Sequence, residues 1–377
     1  MRSGTAPCGL RYAVKRGGSA VGYCALSLRC GTRDEDGFPN GIAHFVEHTM
    51  FRGTKRKSAS VIAGYLDRLG GELNAYTTKE EIVLHATVLK EDLGKAAGLL
   101  FEGHPLGLPI LGTTASVKRI KPEDLRRFAR TFFVPDRMAF TVVADIDEKV
   151  LEKRVLGRVA KLFGEIPGQA GNDGIKQAGN DVLPPVMPDL IGHLPFSKIV
   201  DKRHHEVNAV VGNRAPSLYD KEDRITAAVL CNILGGPASN SLLNKVLREK
   251  NGWVYGVECT YTQYADTGIA AITFGCDKPN LERCLKALDK ILARLREEPL
   301  SERTLKAYKK QLLGQLAISS DNGEAQCLSM GTSLLAWSRI DTSAEMRARI
   351  EAVTPAALQE MAARIFDPDR LCKLIYL

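Results

Sequence analysis

The chain has no apolar run near the roughly 18–20 residues a membrane-spanning helix requires. Its opening segment, Met1-Arg2-Ser3-Gly4-Thr5-Ala6-Pro7, carries no hydrophobic leader core. A membrane partner is not expected, and a cytoplasmic location is. Aromatic residues make up only 6% of the chain, with two tryptophans. The tight basic cluster Arg52, Lys55, Arg56 and Lys57 therefore lacks base-stacking neighbours and reads as a solvated face, so no nucleic-acid partner is expected. The nine cysteines are odd in number and scattered, with no C-x-x-C pair, which excludes a disulfide framework or a cysteine-based zinc ribbon and leaves them as small buried hydrophobes. Lys+Arg exceeds Asp+Glu by only eight in 377 residues, so no single charge sign dominates.

At 44% hydrophobic and 25% charged, a chain of this length can bury two cores. Leu10 to Val14 and Val21 to Cys30 alternate like paired strands around Gly17-Gly18. A helix is expected from about Asn40 to Phe51 and another from Ala59 to Leu69, closed by Gly70-Gly71 in the left-handed cap conformation. Glu72 to Lys90 has strand character. Four prolines and the repeated string Gln-Ala-Gly-Asn-Asp at 169–173 and 177–181 mark a linker. The expected division is a first domain over 1–165, a linker over 166–188 and a second domain over 189–377.

The second half repeats the order of the first. Lys121 to Ala144 aligns with Thr354 to Leu377 at a constant offset of 233, with seven identities in 24 positions, including Pro135-Asp136-Arg137 against Pro368-Asp369-Arg370. Identities in phase with a helix and then a strand indicate a duplicated domain. The first copy is shorter than the second by 45 residues, with the junction near Leu100-Phe101. The segment without a counterpart, Ser301 to Ile318 and on toward Trp337, is helical in pattern.

One motif carries chemistry. In His44-Phe45-Val46-Glu47-His48 the imidazoles are four residues apart, and Glu47 is three from His44, so a helix puts all three side chains on one face. Two imidazoles so placed can hold one zinc ion, and Glu47 is placed to take a proton from water polarised by it. H-x-x-E-H is the inverse of the commoner zinc-peptidase order.

With its flanks, Gly31-Thr32-Arg33-Asp34-Glu35, Gly41 to Thr54, Gly70-Gly71-Glu72-Leu73-Asn74-Ala75-Tyr76-Thr77, Gly103-His104-Pro105-Leu106-Gly107 and Leu247-Arg248-Glu249-Lys250-Asn251-Gly252-Trp253-Val254-Tyr255, the sequence resembles the insulinase/pitrilysin-type (M16) zinc metallopeptidases, in particular their two-domain members. The resemblance implies an α+β fold of two homologous domains, each a mainly antiparallel sheet with helices on one face, forming a shell around a peptide chamber. It implies His44 and His48 as zinc ligands and Glu47 as general base. Asn74, Ala75 and Tyr76 would lie on the edge strand that binds unfolded peptide by β-augmentation, and Arg248 and Tyr255 would be second-domain residues that hold peptide carbonyls. A homodimer, or a heterodimer with a related subunit, is also implied. The family's third zinc ligand, a glutamate, falls where the first copy is short. Glu72, Glu80, Glu81 and Glu102 are poor replacements, because a ligand must be met to within a few tenths of an ångström. Two readings stay open: a zinc metalloendopeptidase, and a catalytically inactive peptide-binding or scaffold subunit.

Overall fold

The computed structural model of the chain describes residues 1–50, 64–96, 120–163, 196–201 and 206–377. The basic cluster at 52–57, the linker, the Gly103–Gly107 segment, Glu102 and the 100–101 junction lie outside the described residues. By packing, the chain forms two units: Met1–Ile175 with Ile318–Asp341, and Lys176–Ala317 with Thr342–Leu377.

In the first unit, β1 (Arg2–Thr5), β2 (Arg11–Arg16), β3 (Val21–Leu28), helix α1 (Ile42–Thr49), β4 (Glu72–Thr77) and β5 (Ile82–Leu89) are followed by α2 (Pro122–Phe132), β6 (Met138–Ala144) and α3 (Glu148–Phe163). The sheet order is β1-β2-β6-β3-β5-β4. The strands flanking Gly17-Gly18 thus do not pair with each other as the alternation suggested. β6 lies between them, parallel to β2 and antiparallel to β3. Its seven residues are all buried, which requires cover on both faces. One face, with Met138, Phe140 and Val142, packs on Phe45 and Val46 of α1 and Leu125 and Phe128 of α2.

In the second unit, β7 (Ser197–Val200), β8 (Glu206–Ala215), α4 (Lys221–Gly235), a π-helical segment (Asn244–Lys250), β9 (Val254–Gln263) and β10 (Gly268–Asp277) lead into α5 (Leu281–Glu297) and α6 (Glu302–Ser319). The chain continues through α7 (Gly323–Trp337), α8 (Ser343–Ala352), α9 (Pro355–Ile365) and β11 (Cys372–Tyr376). The sheet order is β7-β11-β8-β10-β9. Val207, Ala209 and Val211 alternate with exposed or half-buried neighbours along β8, and their face meets Leu230 and Leu234 of α4 and Leu288 and Leu292 of α5.

The duplication is visible in three dimensions. β11 runs parallel to β7 and antiparallel to β8, just as β6 does to β2 and β3, and α9 starts and ends 233 residues after α2. Gly70 and Gly252 take the same left-handed conformation, φ +67° and +62°, between a helical segment and the edge strand. Without a β-carbon, both do so at little cost.

One helix breaks the linear division. α7 lies between α6 and α8 in sequence, yet it packs with the first unit, and the expected second domain over 189–377 must give it up. The cause is complementary surface: Ala13, Ala25, Ala139 and Val83 leave a shallow face on the first sheet, filled by Cys327, Met330, Leu334 and Leu335. Thr141 Oγ1 donates to the Cys327 carbonyl at 2.8 Å, and Arg11 donates to the Leu334 carbonyl at 3.0 Å. The fold class is α+β with two sheets, as expected, and the first sheet carries helices on both faces.

Candidate metal centre

α1 is only two turns long, so its place depends on what holds its ends. The loop before it does most of this. Gly31 approaches the β4–β5 turn so closely that a β-carbon would come within 2.4 Å of the Lys79 backbone. Thr32 and Arg33 donate their amides to the carbonyls of Thr78 and Lys79, and the Arg33 guanidinium pairs with Glu80. Asp34 accepts from the Gly31 amide at 2.9 Å, and burial pushes its carboxyl above the usual carboxylate range. Glu35, 7% exposed, accepts from the amides of Gly41 at 2.8 Å and Ala43 at 3.0 Å. A carboxylate here satisfies two donors that a helix start leaves open and complements the helix dipole. The Gly31–Glu35 string is thus a clamp between α1 and the β4–β5 hairpin.

On α1, Ile42, Phe45 and Val46 face the core, which turns His44 and His48 to a half-buried face. Their Nε2 atoms are 2.9 Å apart. Glu47 is 5% exposed, with Oε2 3.9 Å from His44 Nε2 and accepting from Thr77 Oγ1 at 3.1 Å. The three side chains offer ligand atoms within 4.8 Å of one another, and no other His, Cys, Asp or Glu among the described residues joins them. The donor set fits zinc. Two nitrogens about 2.05 Å from one tetrahedral ion lie about 3.3 Å apart, so small ring rotations from the present 2.9 Å suffice.

Glu72, Glu80 and Glu81, poor third ligands on sequence grounds, do not join this set. Glu80 is taken by Arg33. Glu81 accepts from Thr332 Oγ1 at 3.1 Å, and burial raises its carboxyl. Glu72 begins β4 and is exposed.

Asn74, Ala75 and Tyr76 lie on β4, the last strand of its sheet. Its outer edge has no strand partner among the described residues. Asn74 and Tyr76 turn to the exposed side, whereas Leu73, Ala75 and Thr77 are half-buried. Burial and the charge of Glu81 raise the Tyr76 hydroxyl. Arg248 and Tyr255 belong to the second unit: Arg248 is exposed on the π-helical segment, and Tyr255 is the second residue of β9, 60% exposed. His85 pairs with Glu324 of α7 at 2.8 Å, a structural contact.

Sequence reasoning did not assign Glu35 and Thr77 to the site. The motif strings contained both, but their roles depend on hydrogen bonds between segments that residue spacing does not reveal. No helix among the described residues is long and apolar enough to cross a membrane.

Comparison with known proteins agrees with this geometry. Residues 13–102 match the description "Insulinase (Peptidase family M16)" and residues 119–312 match "Peptidase M16 inactive domain". A Bacillus subtilis protein named as an uncharacterized zinc protease, YmxG, is 26% identical, covering 92% of this chain and 90% of its own. The mitochondrial-processing peptidase subunit beta of Caenorhabditis elegans is 22% identical, covering 96% and 86%. A solved protease from Helicobacter pylori, 17% identical, superposes over all of this chain and 98% of its own with a TM-score of 0.84. A putative M16-like peptidase from Alicyclobacillus acidocaldarius, 18% identical, gives 0.80 over 100% and 97%. Both halves of the duplicated fold and the motif on α1 thus agree with one assignment: the chain belongs to the insulinase family, peptidase family M16.

Proposed function

We propose that this chain is a zinc-dependent endopeptidase acting on unfolded, extended peptides. The supporting observation is the convergence of His44 Nε2, His48 Nε2 and the buried Glu47 carboxylate on one face of a helix clamped to an open edge strand. His44 and His48 would hold the ion. A bound zinc ion supplies a Lewis acid for the scissile carbonyl and makes water a stronger acid at neutral pH. Glu47 takes the proton of the attacking water and returns it to the leaving nitrogen. With Oε2 held by Thr77, the free lone pairs of Oε1 do this work. The outer edge of β4 at Asn74, Ala75 and Tyr76 aligns the peptide through backbone hydrogen bonds, which favours any extended sequence. Arg248 and Tyr255 are peptide contacts from the second unit. The worm relative is named a subunit, and a dimer with the same or a related chain is part of this reading.

A second reading, a peptide-binding subunit without turnover, is favoured by one observation: among the described residues no ligand beyond Glu47 joins the two imidazoles. Measuring zinc after dialysis, together with cleavage of a quenched unfolded peptide with and without chelator, separates the two. One equivalent of zinc and chelator-sensitive cleavage, abolished by Glu47→Gln, supports the enzyme. Peptide binding with neither zinc nor cleavage supports the subunit. Cleavage by Glu47→Gln at the parent rate removes the proposed mechanism.

A further inference from the structure

The turn between β4 and β5 is gripped from two sides. On the side of α1, its Thr78 and Lys79 carbonyls accept from the amides of Thr32 and Arg33. On the other side lies α7. The Thr332 hydroxyl donates to Glu81 Oε2 at 3.1 Å, and His85 Nδ1 pairs with Glu324 Oε1 at 2.8 Å. The spacing of these two contacts is matched. Glu324 and Thr332 are eight residues apart on α7, a rise of about 12 Å, and Glu81 and His85 are four apart on extended chain, about 13 Å. Between them, Val83 and Leu328 pack into the same apolar cluster. Gly331 lets the helix come this close, since a β-carbon there would stand 2.4 Å from Ser27 Oγ. α7 therefore runs antiparallel to β5 as a splint along its first residues, and the packing of the whole helix sets the place of Thr332.

Glu81 in turn closes the 78–81 turn. Its carbonyl accepts from the Thr78 amide at 2.8 Å, and its amide donates to Thr78 Oγ1 at 2.9 Å. The residue before Thr78 is Thr77, whose hydroxyl donates to Glu47 Oε2 at 3.1 Å. A continuous path from Thr332 through Glu81, Thr78 and Thr77 thus joins α7 to the buried carboxylate of α1. Proton transfer by a carboxylate depends on its place to a fraction of an ångström, so a shift of the turn is felt at Glu47.

We propose that Thr332 and Glu81 are positioning residues for Glu47: the bond between them fixes the 78–81 turn, and the turn holds Thr77 on the Glu47 carboxylate. This rests on the reading that Glu47 is the general base of peptide hydrolysis. Neither residue is among the side chains that converge at the metal centre. Their loss should therefore change how well Glu47 is aimed, and with it kcat, while KM and zinc content stay as they are.

The test uses the full chain and a quenched unfolded peptide. Thr332→Val should lower kcat by about threefold, toward the low end of what one hydrogen bond contributes. Thr332→Ser keeps the hydroxyl and should restore the parent rate. Glu81→Ala should match Thr332→Val, and the two together should be no slower than either alone. The deciding measurement is the cycle with Thr77→Val. Once Thr77 no longer holds Glu47, removing the Thr332 hydroxyl should cost nothing further, whereas a general loosening of the fold would slow both backgrounds alike. Hydrogen–deuterium exchange supplies a readout without turnover: the amides of Thr78 and Glu81 should exchange about threefold faster in Thr332→Val than in the parent. Equal losses from Thr332→Val in both backgrounds, or unchanged exchange at Thr78 and Glu81, overturns this inference alone. A parent that cleaves no peptide overturns the peptidase reading, and the role given to Thr332 and Glu81 with it.

Discussion

Removing the Glu35 carboxylate tests whether the motif helix is held in place by its N-terminal clamp. In Glu35→Ala the amides of Gly41 and Ala43 lose their acceptor where the displaced carboxylate was 7% exposed, leaving little room for water to replace it. A hydrogen bond to a charged group contributes about 1.5–3 kcal/mol, and two bonds to one carboxylate are not additive. The expected local cost is about 3 kcal/mol, or roughly a hundredfold in the opening equilibrium of α1. Hydrogen–deuterium exchange read on the peptide spanning Ile42–Thr49 should speed up by about that factor, while α4 in the second unit stays unchanged. Glu35→Gln retains one acceptor oxygen and should show roughly half the free-energy cost. His44 is the third residue of α1, so zinc retention should fall in the same order, parent, Gln, Ala. Unchanged exchange over Ile42–Thr49 in Glu35→Ala would refute the clamp, because no other carboxylate among the described residues takes these amides.

Three further perturbations probe other parts of the site and the fold. Thr77→Val deletes the donor to Glu47 Oε2 at nearly constant volume; peptide turnover should drop up to about tenfold with zinc content unchanged, as expected for one hydrogen bond, and lost zinc instead would assign Thr77 to metal retention. At Gly331 a β-carbon would stand 2.4 Å from Ser27 Oγ and 3.3 Å from its β-carbon, so Gly331→Ala should lower the stability of the first unit by about 1–3 kcal/mol, an overpacking cost, read as an earlier urea midpoint. The buried Glu81 carboxyl is raised above the ordinary glutamate range, chiefly by desolvation. The folded state therefore binds its proton more tightly than the unfolded one, and this group's contribution to stability falls as pH rises from about 4.5 through the folded pKa. Glu81→Gln should flatten the stability profile over that interval, and an identical slope in parent and variant would dismiss Glu81 as its source.

The parts of the fold legible in the sequence were those set by local periodicity. The α1 spacing, the Gly70 cap, the strand character of 72–90 and the repeat offset are set locally, and the structure reproduces each. What escaped were pairings between distant segments. The insertion of β6 between β2 and β3 depends on a strand more than a hundred residues later, and no turn chemistry at Gly17-Gly18 reveals it. β1 and β7 are short edge strands whose pairing is set by their neighbours. α7 was read as part of the second copy because its sequence neighbours are there. Its true place is decided by Ala13, Ala25 and Ala139, small residues that look like ordinary strand positions until a helix is laid on them. At the site, the clustering of His44, Glu47 and His48 on one helix face was legible and their supports, Glu35 and Thr77, were not, for the same reason.

The duplicated architecture also explains why the H-x-x-E-H side chains find room in only one copy. The helix following the second strand of the repeat is α1 in the first unit and α4 in the second. On α4 the buried face is continuous, with Ile225, Ala227, Val229, Leu230, Ile233 and Leu234 all in the core, and the helix spends its length on packing. α1 is half as long. Four core residues, Ile42, Ala43, Phe45 and Val46, suffice to seat it only because the Gly31–Glu35 clamp fixes its start and Thr77 meets its buried carboxylate. Shortening the helix frees a half-buried face for His44 and His48, and that face lies beside an edge strand with an open side. A helix packed as deeply as α4 could not leave two imidazoles half-buried beside a strand edge, so the exposure of His44 and His48 is tied to the loss in burial, and the clamp compensates for that loss.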